Sequence, residues 1–210
     1  KSWEAGLELA GVDNRLTLDL GVYKTNSINQ IVEVEVSKAT GYGFKYLNGG
    51  DIQNKGVEVA QEVDIIKNSD LTWNASVNWA RNISEVNSLP AGIENYVINN
   101  FQGGVSANAT VGQPYGVIRG TGYQYLNGRR VINSSGYYVA IADQIIGDPN
   151  PEWTGGFLNS IRYKNFNFSF LIDVQRGGDV WSLDMHYGQG TGISENTAIV
   201  NDLGNPVRNP

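Results

Sequence analysis

The 210-residue chain has no cysteine, one histidine and one methionine. Without cysteine there is no disulfide, no thiolate nucleophile and no cysteine-based metal site. With His186 as the single histidine, no motif that pairs two histidines on a metal can form. Charge is also scarce: 17% of residues are charged, and the net charge is -6. That balance argues against a nucleic-acid backbone as partner, and no basic patch interleaved with aromatics offsets it. Arg129-Arg130 is an isolated pair in a Gly- and Asn-rich stretch. Apolar runs are only a few residues long, so no transmembrane helix is expected. A mean hydropathy of -0.29 does not exclude a membrane, because a barrel hides its apolar band by alternation.

What the chain has is strict alternation. Leu71, Trp73, Ala75, Val77 and Trp79 fall on one face of a strand, with Thr72, Asn74, Ser76 and Asn78 on the other. Phe166, Phe168, Phe170, Ile172 and Val174 alternate in the same way with Asn167, Ser169, Asp173 and Gln175. Further strands are expected at about 3–12, 15–26, 52–66 and 154–164, with a weaker run over Ile31–Val36. Asp13-Asn14, Lys67-Asn68-Ser69-Asp70 and Lys164-Asn165 read as tight turns, and Asn48-Gly49-Gly50-Asp51 as another. The remaining connections, 27–51, 84–153 and 176–210, are long. Short strands at 115–126 and 129–140 fit inside the second of these.

Runs of about ten residues with one apolar face, short turns at one end and long loops at the other are the pattern of an antiparallel transmembrane β-barrel. The carboxylates sort with it. Glu4, Glu8, Asp19, Glu58, Glu62, Asp64 and Asp173 all fall opposite the apolar stripes, which gives a wet, acidic lumen.

Several segments resemble SusC/RagA-like TonB-dependent transporters, in their C-terminal barrel portion. They are Trp3-Glu4-Ala5-Gly6-Leu7-Glu8, Asn14-Arg15-Leu16-Thr17-Leu18-Asp19, Gly50-Asp51-Ile52-Gln53-Asn54-Lys55-Gly56-Val57-Glu58 and Gly112-Gln113-Pro114-Tyr115-Gly116. Ile146-Gly147-Asp148-Pro149-Asn150-Pro151-Glu152-Trp153-Thr154-Gly155-Gly156-Phe157 follows, then Asp173-Val174-Gln175-Arg176-Gly177-Gly178-Asp179. The resemblance implies part of a large plugged barrel of about 22 strands, in the outer membrane of a Gram-negative, Bacteroidetes-like cell. It implies membrane lipid, TonB and a SusD-like lipoprotein as partners, and import of oligosaccharides or, second, peptides. All of 1–210 is then expected to be one barrel portion, with 84–153 as a long extracellular loop region. The plug, the TonB-contacting segment and the final membrane strand lie outside the sequence read here. The family's acidic, calcium-suited loop has no counterpart near 126–145, so no metal and no cofactor are expected.

The loops carry the candidate substrate contacts Tyr115, Tyr123, Tyr125, Tyr137, Tyr138 and Trp181. Aromatic rings stack on sugars or line peptide sites, although each can equally pack loop on loop. No catalytic residue is expected. A lone loop His186 reads as surface, and Glu58 and Glu62 share one strand face like other lumen carboxylates. Gly120-x-Gly122 and Gly188-x-Gly190-x-Gly192 read as flexible loops rather than phosphate cradles, and Asp148-Pro149-Asn150-Pro151 as a rigid loop rather than a calcium site. The alternative is a secreted or surface β-sandwich that binds carbohydrate and buries its apolar faces against each other.

Overall fold

The computed structural model describes residues 1–90, 92–200 and 204–208. The loop expected over 201–203 and 209–210 lies outside the described residues. The strands are β1 (Ser2–Gly11), β2 (Leu16–Glu35), β3 (Phe44–Lys67), β4 (Leu71–Ser88), β5 (Asn95–Phe101), β6 (Val105–Thr110), β7 (Val117–Tyr123), β8 (Tyr125–Leu126), β9 (Arg129–Arg130), β10 (Ala140–Gly147), β11 (Pro151–Tyr163) and β12 (Phe166–Gly177). One helix, α1 (Leu183–Thr191), follows. The chain is all-β and antiparallel, as expected. Among the described residues, no helix is long and apolar enough to cross a membrane.

The chain divides into two compact units. The first comprises Lys1–Tyr96, Thr110–Tyr115 and Asn150–Gly178. It holds a six-stranded sheet of order β1-β2-β3-β4-β11-β12. Its register fixes the faces, because residues directly opposite each other share one. Leu9 pairs with Leu18, Leu18 with Gln61, Gln61 with Val77, Val77 with Phe157 and Phe157 with Ile172. Every expected stripe therefore lies on one face of one sheet. The opposite face carries Glu8 across from Asp19, and Gly21 across from Glu58.

The apolar face is open: Trp3 is 57%, Phe166 78% and Phe168 61% exposed. A sandwich would bury these side chains against a second sheet. Leu71 to Trp79 climbs ~26 Å at ~3.3 Å per residue. With a strand tilt of ~35–45°, that rises about 19–22 Å along the membrane normal, most of the ~25 Å apolar band of an outer-membrane barrel.

One expected turn and one expected strand differ. Asn48-Gly49-Gly50-Asp51 is not a turn: β2 and β3 pair without a break from Leu16 with Val63 to Glu35 with Phe44. The turn signal arises because Asn29 (φ 56°) and Gly50 (φ 88°) are both left-handed at one point of the ladder. The weak run at 31–36 is thus the outer part of β2. In β3, the register shifts between Asp64 and Ile66, and Ile66 takes the place opposite Trp73. This β-bulge interrupts the alternation near the end of the strand expected at 52–66.

The tight turns behave as expected. Val12, Asp13 and Asn14 have φ of 52°, 53° and 59°, and the Arg15 amide closes the turn on the Val12 carbonyl at 3.1 Å. The Asn68 side chain accepts from the amides of Asp70 and Leu71. Lys164 takes φ 51° between β11 and β12.

The second unit comprises Val97–Ala109, Gly116–Pro149 and Asp179–Pro210. It contains most of a sheet of order β10-β7-β6-β5 and the small β8-β9 ladder. Unlike the first, it has a closed core of Val105, Ala109, Val117 and Ile118, each at most 8% exposed. Fully burying a valine-sized side chain stabilises by about 1.5–3 kcal/mol. Asn108 is buried among them, and its side-chain amide donates to the Ser106 carbonyl and hydroxyl.

Candidate functional site

Chain chemistry gathers on β7, β8 and β9. Arg130 lies over the Tyr123 ring at 4.5 Å and near the Tyr138 ring at 5.4 Å, which are cation–π distances. The two rings meet edge to face at 5.3 Å. Arg130 Nε also donates to the Tyr125 hydroxyl at 3.4 Å. The hydrogen bond to Tyr125, with the nearby phenols adding to it, raises the Arg130 pKa further, so its charge persists at any ordinary pH. The tight turn between β8 and β9 produces this juxtaposition: Asn127 and Gly128 are both left-handed, and Tyr125 pairs with Arg130 across it.

Three of the six candidate aromatics, Tyr123, Tyr125 and Tyr138, are therefore one cluster, and all three are exposed. Tyr137 sits beside Tyr138 in a turn organised by Asn133, whose side chain accepts from the Ser135 and Tyr137 amides. Trp181 belongs to a different group. Its indole donates to the Gln102 carbonyl and stacks on His186 at 5.3 Å, while Gln102 donates to the Tyr187 hydroxyl. Gly103 leaves the room for it, since a Cβ there would lie 3.0 Å from the indole. Tyr115 stands apart in the first unit, where its carbonyl accepts from Asn150. Sequence reading leaves Arg130 as one of an isolated pair, because its place against the rings depends on the turn between β8 and β9.

The other motifs resolve into structure. Gly120 and Gly122 are not in a flexible loop but on β7. A Cβ at Gly120 would lie 2.8 Å from Ile146, and one at Gly122 3.1 Å from Gln144, so these glycines let β10 side chains cross the strand. Residues 183–191, expected as loop, form α1, capped by Ser182 at its start and by left-handed Gly192 at its end. Asp148 offers its amide to the Asp179 carboxylate at 2.8 Å, and the Asp179 amide returns a bond to the Asp148 carbonyl. Among the described residues, no group of three or more His, Asp or Glu could hold a metal ion.

On the polar face of the six-stranded sheet, Glu4, Glu8, Asp19 and Glu58 line an open groove of about 540 Å³. Two motif glycines there and opposite have aromatic covers. The Tyr23 ring lies across Gly56, leaving no room for a Cβ, and Trp153 packs over Gly155. This explains the Asn-Lys-Gly and Trp-Thr-Gly-Gly signatures as packing: an aromatic fills the gap beside a bare backbone.

The chain is 27% identical over 232 residues to the TonB-dependent receptor P3 of Formosa agariphila, which covers 99% of this chain and 23% of that one. It is 24% identical to the TonB-dependent receptor SusC of Bacteroides thetaiotaomicron, covering 81% and 18%. Among solved structures, the RagAB peptide importer in its open-open state superposes with a TM-score of 0.68 at 21% identity, covering 84% of this chain and 20% of that one. The likeness is to SusC/RagA-like TonB-dependent receptors. No family model matches. The chain spans less than a quarter of the curated relatives it matches. These relatives are named as receptors rather than enzymes, and the structural likeness is to a portion of a SusC/RagA-like barrel wall.

Proposed function

We propose that residues 1–210 form one portion of the wall of a TonB-dependent outer-membrane importer, and that they perform no covalent chemistry. The observation that carries this reading is the single exposed apolar face of the six-stranded sheet, free of charge from the short turns up to Lys24, Lys55 and Arg81, with short turns at one end and long connections at the other. The host membrane is the outer membrane of a Gram-negative cell. The partners are a SusD-like surface lipoprotein and, through segments beyond this sequence, TonB. The region 84–153 is the extracellular part.

The substrate is an oligosaccharide, with a peptide second. Tyr123, Tyr125 and Tyr138 around Arg130 support that reading, because exposed rings beside a cation offer both stacking and hydrogen bonding. Tyr115, Tyr137 and Trp181 are secondary candidates. Tyr123→Ala and Arg130→Gln in the full-length protein should each weaken oligosaccharide binding by about three- to tenfold, on the order of 1 kcal/mol. Isothermal titration of the detergent-purified protein measures it, with a peptide ligand in parallel. Unchanged affinity for both ligands would remove the cluster from the binding surface.

A further inference from the structure

The apolar face of the six-stranded sheet ends abruptly in cations at the end away from the short turns. Lys24 stands directly opposite Lys55 on the adjoining strands. Arg81 stands opposite Val57, one diagonal from Lys55. Cross-strand partners lie about 5 Å apart at Cβ and diagonal ones about 7–8 Å. Three positive charges thus share one small patch, on the face that otherwise carries only uncharged side chains between this row and the turns. Trp3, 57% exposed, stands opposite Lys24. An aromatic beside long basic side chains is the composition of a membrane–water boundary.

Like charges directly opposite each other destabilise a strand pair, so this patch needs a counter-charge. Among the described residues, none of the three cations forms an ion pair. The nearest acids on these strands lie further out. Glu85 stands opposite Gln53, and Asp51, held by hydrogen bonds from Asn26 and Asn87, lies within electrostatic reach of Lys24 without pairing with it, so it answers only part of the patch's charge. The turn end is different. There, Arg15 spends its guanidinium on the carbonyls of Asp64 and Ile65, and Lys67 pairs with Asp64 at 2.7 Å. Between this rim and the turns, the apolar face carries no other cation.

We propose that Lys24, Lys55 and Arg81 bind the phosphates of a net-anionic phosphorylated lipid headgroup in the outer leaflet. A zwitterionic headgroup brings its own cation and answers only part of the charge; a bis-phosphorylated glycolipid matches it. The proposal rests on reading the apolar face as lipid-facing.

The test uses the full-length barrel protein in nanodiscs of phosphatidylcholine, with or without diphosphoryl lipid A, and inorganic phosphate as a third arm. Wild-type protein should melt higher with lipid A, and the shift should shrink as salt rises. At about fivefold per cation, K24Q/K55Q/R81Q should weaken lipid A capture by at least tenfold while still inserting. Equal capture by the variant, or an equal shift from inorganic phosphate, would overturn the proposal. A wild-type protein that fails to enter nanodiscs at all would instead contradict the barrel reading beneath it. K67Q, at the turn end, should leave lipid A capture unchanged; an equal loss there would also overturn the site.

Discussion

The two units solve the problem of apolar surface in opposite ways. The small sheet around β7 turns Val105, Ala109, Val117 and Ile118 inward to a few per cent exposure. The six-stranded sheet turns Leu7, Phe168, Phe170 and Ile172 outward and keeps only Ala75 and Val86 as buried apolar residues among those described. The large sheet alternates, whereas the small one buries neighbours such as Val117 and Ile118, so the two also differ in what each face meets. Water drives the first arrangement. On the barrel-wall reading proposed above, the second is stable where hydrocarbon replaces water on one side.

The contrast can be broken by placing a charge on one side chain of β12 and then on its neighbour. Phe170→Arg puts a cation in the middle of the apolar face, where Phe170 touches the rings of Phe157 and Phe168. It should cost about 2–4 kcal/mol of folding stability in a bilayer. Ser169→Arg, one residue earlier and facing the other way, should cost under about 1 kcal/mol. Urea unfolding of the full-length barrel in vesicles reads both. Gly56→Val comes next. It drives a branched side chain into Tyr23 and should cost roughly 1–3 kcal/mol; Tyr23→Ala in the same chain should recover part of that loss.

Val117→Ala probes the water-driven core and should cost about 1–3 kcal/mol. Its effect should be indifferent to whether detergent or bilayer surrounds the barrel. The smallest effect is electrostatic. Hydrogen bonding and charge from Arg119, at 2.8 Å, hold the Asp143 carboxyl below the ordinary aspartate range. Its folded pKa lies under its unfolded value of about 3.9. The contribution is therefore complete above that value and fades as pH falls through the folded one. Asp143→Asn should lower the stability of this unit slightly near neutrality and leave it unchanged well below the folded pKa, so that the acid side of its stability profile flattens.

The sheet was legible because its alternation is strict: the strands at 71–80 and 166–175 needed no tertiary information, and the short turns carried their own Asn and Asp signals. The outer extensions of β2 and β3 were not, because Gly50 and Asn29 distort the ladder without ending it, and glycine and asparagine look the same in a turn. The helix 183–191 was hidden by Gly188 and Gly190, which lower helix propensity by about 1 kcal/mol each; the caps Ser182 and Gly192 were its only local signal. In the binding cluster, the tyrosines could be read as candidates, but Arg130 could not. Its place between Tyr123 and Tyr138 depends on a hairpin turn that brings distant positions together.

The central claim is that the apolar face of the six-stranded sheet meets lipid. Residues 1–210 have no cysteine, so single cysteines along 166–175 can carry nitroxide labels in the full-length barrel once any cysteine elsewhere in it is replaced, with the protein reconstituted in vesicles. Collision with oxygen, which partitions into hydrocarbon, should peak at 166, 168, 170, 172 and 174, and collision with a water-soluble nickel chelate at the positions between. If 166, 168, 170, 172 and 174 are instead shielded from both reagents, the stripe is an internal core and the lipid-facing account is wrong.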